Sequence, residues 1–134
     1  MATATIQKTR DYRDLDLDFT RHPNTGDVVM KADAEAVKRS IRYLVFTQPG
    51  ERYFNVNIGC RVYRLLFEPI SDITGFEMRR AIEEVISNYE PRANVQEIKV
   101  TPQPDENAYT ISITFTVLNL NIPETVTIYL ERTR

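Results

Sequence analysis

Asn88-Tyr89-Glu90-Pro91-Arg92 divides the chain into two grammars, and the fold follows from what lies on either side of it. Upstream, Met78, Ala81, Ile82, Val85, Ile86 and Tyr89 recur at helical spacing, which predicts an amphipathic helix ending at the proline. Thr74-Gly75-Phe76-Glu77 at its start fits a capping box, with threonine oxygen and glutamate each satisfying a backbone donor. Downstream, the period shortens to two. Tyr109, Ile111, Ile113, Phe115 and Val117 alternate with Thr110, Ser112, Thr114 and Thr116, which is a strand from Tyr109 to Leu118 with one buried face. Val95 to Thr101 and Thr125 to Glu131 read as two more strands, joined by the loops 102–107 and 119–123. The corner itself sets an acid and a base around a residue of fixed φ, so Glu90 and Arg92 are expected to leave a rigid turn without folding back on each other.

Further towards the start, Val37, Ile41, Leu44 and Val45 predict a helix from Ala34 to Thr47, with Asp33 as its cap. Val62, Leu65 and Leu66 predict a short helix from Cys60 to Phe67, closed by Pro69. The loop between them, Arg52 to Ile58, has two aromatics and no period, and is expected to be pinned by burial of Phe54 or Ile58. In Asp14-Leu15-Asp16-Leu17-Asp18-Phe19, apolar residues alternate with aspartates, predicting a short strand with a solvated acidic face. A calcium loop does not fit, because Phe19 stands where the sharp turn needs glycine and Thr25 where a bidentate glutamate belongs. Pro23 to Asp27 reads as a turn. The expected fold class is α+β: three helices packed on an antiparallel sheet formed largely by the C-terminal strands, with a short N-terminal strand. Residues 1–13 are expected to form an arm and residues 14–134 a single domain.

The composition narrows the function. With 134 residues there is room for one well-cored domain, and 42% hydrophobic with 27% charged residues is a globular balance. A formal charge of −2 gives no general attraction to nucleic acid. No apolar run reaches the roughly 18 residues that would cross a bilayer, and residues 1–18 lack the apolar core of a signal peptide. The lone Cys60 rules out an internal disulfide and multi-cysteine metal sites, and reads as a small buried side chain. Catalytic signatures are missing: His22 has no triad partners beside it, and the four glycines are too dispersed to cradle a phosphate. No cofactor or metal is implied. Two carboxylates can run a glycosidase, so a peptidoglycan-cleaving enzyme using Glu51, Glu68 or Glu90 remains the alternative. No tryptophan is present to stack a sugar.

Several segments taken in order resemble one family. They are Asp16-Leu17-Asp18-Phe19, Pro49-Gly50-Glu51-Arg52, Phe54-Asn55, Ile58-Gly59-Cys60, Leu65-Leu66-Phe67-Glu68 and Asn88-Tyr89-Glu90-Pro91-Arg92. The series is similar to the baseplate wedge proteins, or sheath initiators, of contractile phage tails, with relatives in type VI secretion and other contractile injection machines. Members often carry prolines in the aromatic loop, where this chain has Tyr53 and Val56. The resemblance implies an assembly role and no enzymatic one, although the family has often carried a lysozyme label. It implies a place in the virion, in the tail baseplate assembled in the host cytoplasm, in six copies around the tail tube. By that resemblance Glu90, Pro91 and Arg92 dock on the wedge helical bundle. The C-terminal strands, represented by Thr110, Ile128, Tyr129 and Leu130, accept arms of the tail sheath protein by β-augmentation. The expected partners are wedge baseplate proteins, the sheath protein and the tube surface, with no nucleic acid and no membrane. The equivalent subunit of a secretion machine is the remaining alternative.

Overall fold

A computed structural model describes residues 12–118 and 120–132. Its elements run β1 (Arg13–Leu15), β2 (Met30–Ala32), α1 (Asp33–Phe46), α2 (Val62–Leu65), α3 (Asp72–Tyr89), β3 (Ala93–Gln103), β4 (Ala108–Val117) and β5 (Pro123–Glu131), with a 3-10 turn at Pro104–Glu106. The three long strands form one antiparallel sheet in the order β3-β4-β5, and β1 pairs with β2 in a separate small ladder. The architecture is the expected α+β one.

The core forms where the two periods meet. All five inward residues of β4, from Tyr109 to Val117, are fully buried. They face Val37, Ile41 and Val45 of α1 and Met78, Ile82 and Ile86 of α3, which are buried in the same cluster. Two helices with 3.6-residue stripes thus cover one face of a sheet with a two-residue stripe, and Val126, Ile128 and Leu130 of β5 extend it. Cys60 is buried as expected, and burial pushes its thiol up to about 11.

Several boundaries differ from the sequence reading, each for a local reason. Helix α3 starts at Asp72 instead of Thr74, because the Ser71 hydroxyl accepts the Thr74 N–H at 3.2 Å and caps the helix earlier. Thr74 is buried, and its own hydroxyl donates to the Pro69 carbonyl at 2.9 Å. Asp33 does not cap α1. It sits at φ +49°, and its carboxylate accepts the Tyr12 N–H at 3.2 Å, which ties the chain before β1 to the helix start. Helix α2 is shorter than Cys60–Phe67, since the Cys60 N–H is drawn back to the Thr47 carbonyl at 2.8 Å.

The acidic strand is also shorter than expected. It ends at Leu15, and Phe19 turns through a positive φ of 51°. Its partner β2 was not legible in advance, and with Arg13 already in the ladder the hairpin begins inside the expected arm. Residues 1–11 of that arm lie outside the described residues. The expected solvated acidic face is half wrong: Asp16 is 4% exposed and pairs with Arg39 of α1 and, at 3.6 Å, with Lys31. Arg39 reaches on to Asp18 at 2.6 Å.

Candidate partner-binding site

Three features could meet a partner: the corner after α3, the groove beside it and the edge of the sheet. At the corner the structure corrects the expectation that Glu90 and Arg92 point apart. Arg92 folds back across Pro91, with Nε donating to Glu90 Oε1 at 2.6 Å and Nη2 donating to Oε2 at 2.9 Å. Such a forked, two-bond contact matches the planar guanidinium to the planar carboxylate. The proline stops the helix but leaves ψ of Glu90 at 75°, and that bend brings the two side chains together. The Ser40 hydroxyl of α1 donates to Glu90 Oε2. On its other side Arg92 Nη1 reaches Asp14 Oδ2 of β1 at 3.2 Å and lies over the Tyr12 ring at 5.5 Å.

The corner is therefore a clamp that ties α1, α3 and the β1–β2 hairpin together. Glu90 is 2% exposed, whereas Pro91 is exposed. Burial by itself would push the Glu90 carboxyl up, but hydrogen bonds from Arg92 and Ser40 outweigh it and hold the carboxyl below its ordinary value. The Arg92 guanidinium is raised, chiefly by its hydrogen bond with Glu90. A carboxyl depressed in the folded state contributes stability that is present above the unfolded value of 4.5 and lost as acid passes below it. The urea midpoint should hold between pH 7 and pH 5 and fall below pH 4.5, with a flatter profile for Glu90→Gln; equally steep acid losses would rule out this residue as the cause.

Beside the clamp lies a groove of about 550 Å³ between the hairpin, α1 and the aromatic loop, lined by both charged and apolar side chains. Leu17, Met30, Tyr43 and Tyr89 supply exposed apolar surface there, and Arg13, Asp14 and Arg52 supply charge. Clusters of exposed apolar side chains with a polar rim are typical of protein interfaces. Sequence reasoning missed this groove because one wall of it comes from β1 and β2, which are only three residues each.

The aromatic loop is held from its base. Of the two expected pins, Phe54 is 100% exposed, as is nearly all of Tyr53, whereas Ile58 is half-buried and packs against the core. Backbone bonds close it, with Gly50 N–H donating to Val56 O at 2.8 Å and Cys60 N–H to Thr47 O at 2.8 Å. Tyr89 Oη, at the end of α3, donates to Asn57 O at 3.0 Å. A loop fixed at its base thus displays two free aromatic rings.

The two edges of the main sheet differ. The β3 edge carries a bulge between Val95 and Glu97, charged Glu97 and Lys99, and Pro102, all of which discourage strand addition. β5 has proline only at its first residue and pairs with β4 in unbroken register from Pro123 to Glu131. Among the described residues no strand covers its outer side. Of the four expected sheath-accepting residues, Ile128 and Leu130 point into the core and Tyr129 is 47% exposed, all on the edge strand. Thr110 lies on central β4, paired with both Thr101 and Tyr129, so its backbone has no free side.

Residues 31–121 match the family profile described as Baseplate wedge protein gp25. The chain belongs to the gp25 baseplate wedge family. It is 30% identical over 108 residues to the Baseplate wedge protein gp25 of Enterobacteria phage T4, covering 81% of each chain. The fold resembles a Geobacter sulfurreducens crystal structure whose given name proposes a tail lysozyme, with a TM-score of 0.73 at 22% identity, over 79% of this chain and 96% of that one. A chain in the cryo-EM baseplate of the anti-feeding prophage superposes with a TM-score of 0.63 at 25% identity, over 90% of this chain and 86% of that one. This baseplate wedge protein is a structural component of a contractile tail system, and the matched span 31–121 holds α1, the aromatic loop, the Glu90–Arg92 clamp and β4.

Proposed function

We propose that this wedge protein works without catalysis as a two-sided adaptor: the groove beside the clamp docks on the wedge helical bundle, and β5 accepts an extended arm of the sheath protein to start sheath assembly. Glu90 and Arg92 serve the first role by holding the hairpin against α1, which shapes the groove, while Pro91 sets the corner between them and stays exposed. The observation that carries the reading is the contrast of edges: one guarded by bulge, charge and proline, the other open over a regular nine-residue strand. As a tail baseplate component the protein would be part of the virion or of an equivalent injection particle, with sheath, wedge proteins and tube surface as neighbours.

Two of the three acids nominated for peptidoglycan cleavage, Glu90 and Glu51, are otherwise engaged. Glu90 is a buried, ion-paired carboxylate held below its ordinary value, the opposite of what a general acid needs. Glu51 Oε2 accepts the Gln48 N–H at 2.9 Å and shapes the turn after α1. Glu68 lies in a charged cleft with Arg61, Arg64 and Arg80. Purified protein should show no muralytic activity above that of a Glu68→Gln, Glu90→Gln control, and robust activity lost in that control would refute the non-enzymatic reading.

Reconstitution with wedge and sheath proteins separates the two faces. Leu17→Glu with Met30→Glu should abolish incorporation into the wedge and leave sheath binding intact. Thr127→Lys should do the reverse, because a lysine on an edge strand hinders strand addition and this exposed position leaves the core untouched. Both variants behaving as wild type in both assays would sink the adaptor model.

A further inference from the structure

A strand laid along β5 would sit about 4.8 Å outside it and turn alternate side chains towards α1. On that side the structure has a groove of about 310 Å³ between α1 and residues Thr125, Val126 and Thr127, with Glu35, Lys38, Arg39 and Arg42 along its helical wall and Lys31 of β2 beside them. The cations are not equivalent. Lys38 already holds Glu35 at 3.1 Å and Glu124 at 2.8 Å, and its ammonium is raised by those two hydrogen bonds. Arg39 holds Asp16 and Asp18, and Lys31 shares Asp16. Arg42, one turn beyond Lys38, is exposed and has no ion-pair partner among the described residues.

We propose that the strand received at β5 carries an aspartate or glutamate on its inward face, beside Val126, and that this carboxylate pairs with Arg42. The proposal rests on the reading that β5 accepts a strand and adds the chemistry of the arriving segment. An incoming apolar or basic side chain would strip water from a guanidinium with nothing to replace it. A carboxylate replaces that water with up to two charge-assisted hydrogen bonds in the geometry that arginine favours. The neighbouring cations do not compete for it, because their carboxylates are on this chain. On the outer face the arriving strand meets Thr125, Thr127 and Tyr129, a β-prone row that suits threonine and valine partners. The occupant is thus an extended segment with one inward acid in an otherwise uncharged, β-prone stretch.

The test uses the full chain and the sheath subunit of the same particle, with amide exchange across β5 and affinity as separate readouts. Sheath binding is expected to protect the β5 amides. Arg42→Glu should weaken binding about tenfold or more, Arg42→Lys should keep most of it, and a sheath variant with lysine for its inward acid should regain affinity for Arg42→Glu. Because Arg42 is exposed, its variants should melt with the wild type, which keeps the affinity change interpretable. Protection of β5 with unchanged affinity in Arg42→Glu would overturn the acidic-strand proposal and leave strand addition standing. No protection of β5 by bound sheath would overturn strand addition itself, and the acid with it.

Discussion

Arg92→Ala should cost about 3 kcal/mol or more of folding free energy, well above the value of an ordinary surface ion pair. The reason is what it leaves behind: Glu90, with a side chain 3% exposed, keeps its burial and loses both guanidinium bonds. Asp14 loses its partner too, so the β1–β2 hairpin is released from the corner at the same time. A domain of this size has a margin of about 5–15 kcal/mol, so the variant should still fold at 25 °C, with a lower urea midpoint. Its deficit should shrink on acidification, because an unpartnered buried carboxyl protonates more readily and a neutral Glu90 no longer misses its cation. A loss below about 1 kcal/mol at neutral pH would mean that the pair acts as an exposed one. It follows that weak wedge incorporation by this variant has to be compared at matched stability before it is assigned to the interface.

Gly59→Ala should be at least as damaging, for a steric reason. A Cβ there would lie 2.5 Å from Gln48 C and 2.5 Å from Pro49 N, and the residue is at φ +152°. Both obstacles are backbone, held by the adjacent bond from Cys60 N–H to Thr47 O at 2.8 Å, so no side chain can swing aside. Gly50 is the matched control: its φ is +90° but nothing lies within 4 Å of its missing Cβ. Gly50→Ala should show only the cost of the dihedral, about 1–2 kcal/mol, while Gly59→Ala should drop the melting temperature by about 10 °C or more. Equal shifts for the two would show that the close approach at Gly59 relaxes without cost.

What the sequence made legible was what regular periods encode. The buried faces of α1, α3 and β4 follow from spacing and are buried as the spacing predicts, except that Tyr89, at the end of the α3 stripe, is 37% exposed. Helix α3 came with its stop marked by Pro91 but its start misplaced, because Ser71 and Thr74 are both plausible caps and only Pro69 and the packing of Thr74 decide between them. The hairpin stayed hidden because three-residue strands carry no period, and Asp16 gave no sign that Arg39, 23 residues away, would bury it. The site was half visible. Pro91 and its flanking charges stood out, yet that Arg92 would turn back to Glu90 and reach Asp14, 78 residues earlier, depends on tertiary neighbours that spacing does not report. That β5 is an edge emerges from the strand order β3-β4-β5, and the guarding of β3 only from the bulge in the paired ladder.

That guarding limits growth. A sheet open on both sides can take strands without end, as fibrils do. Among the described residues of this sheet β4 is enclosed, β3 is guarded and only β5 is left uncovered, so on the proposed reading one arriving strand would exhaust its capacity. Two free copies that met through β5 would close into a pair and stop, and each would have to part before taking another strand. On the proposed reading the domain would act as a chain terminator with a single valence, able to begin an assembly and unable to propagate one by itself.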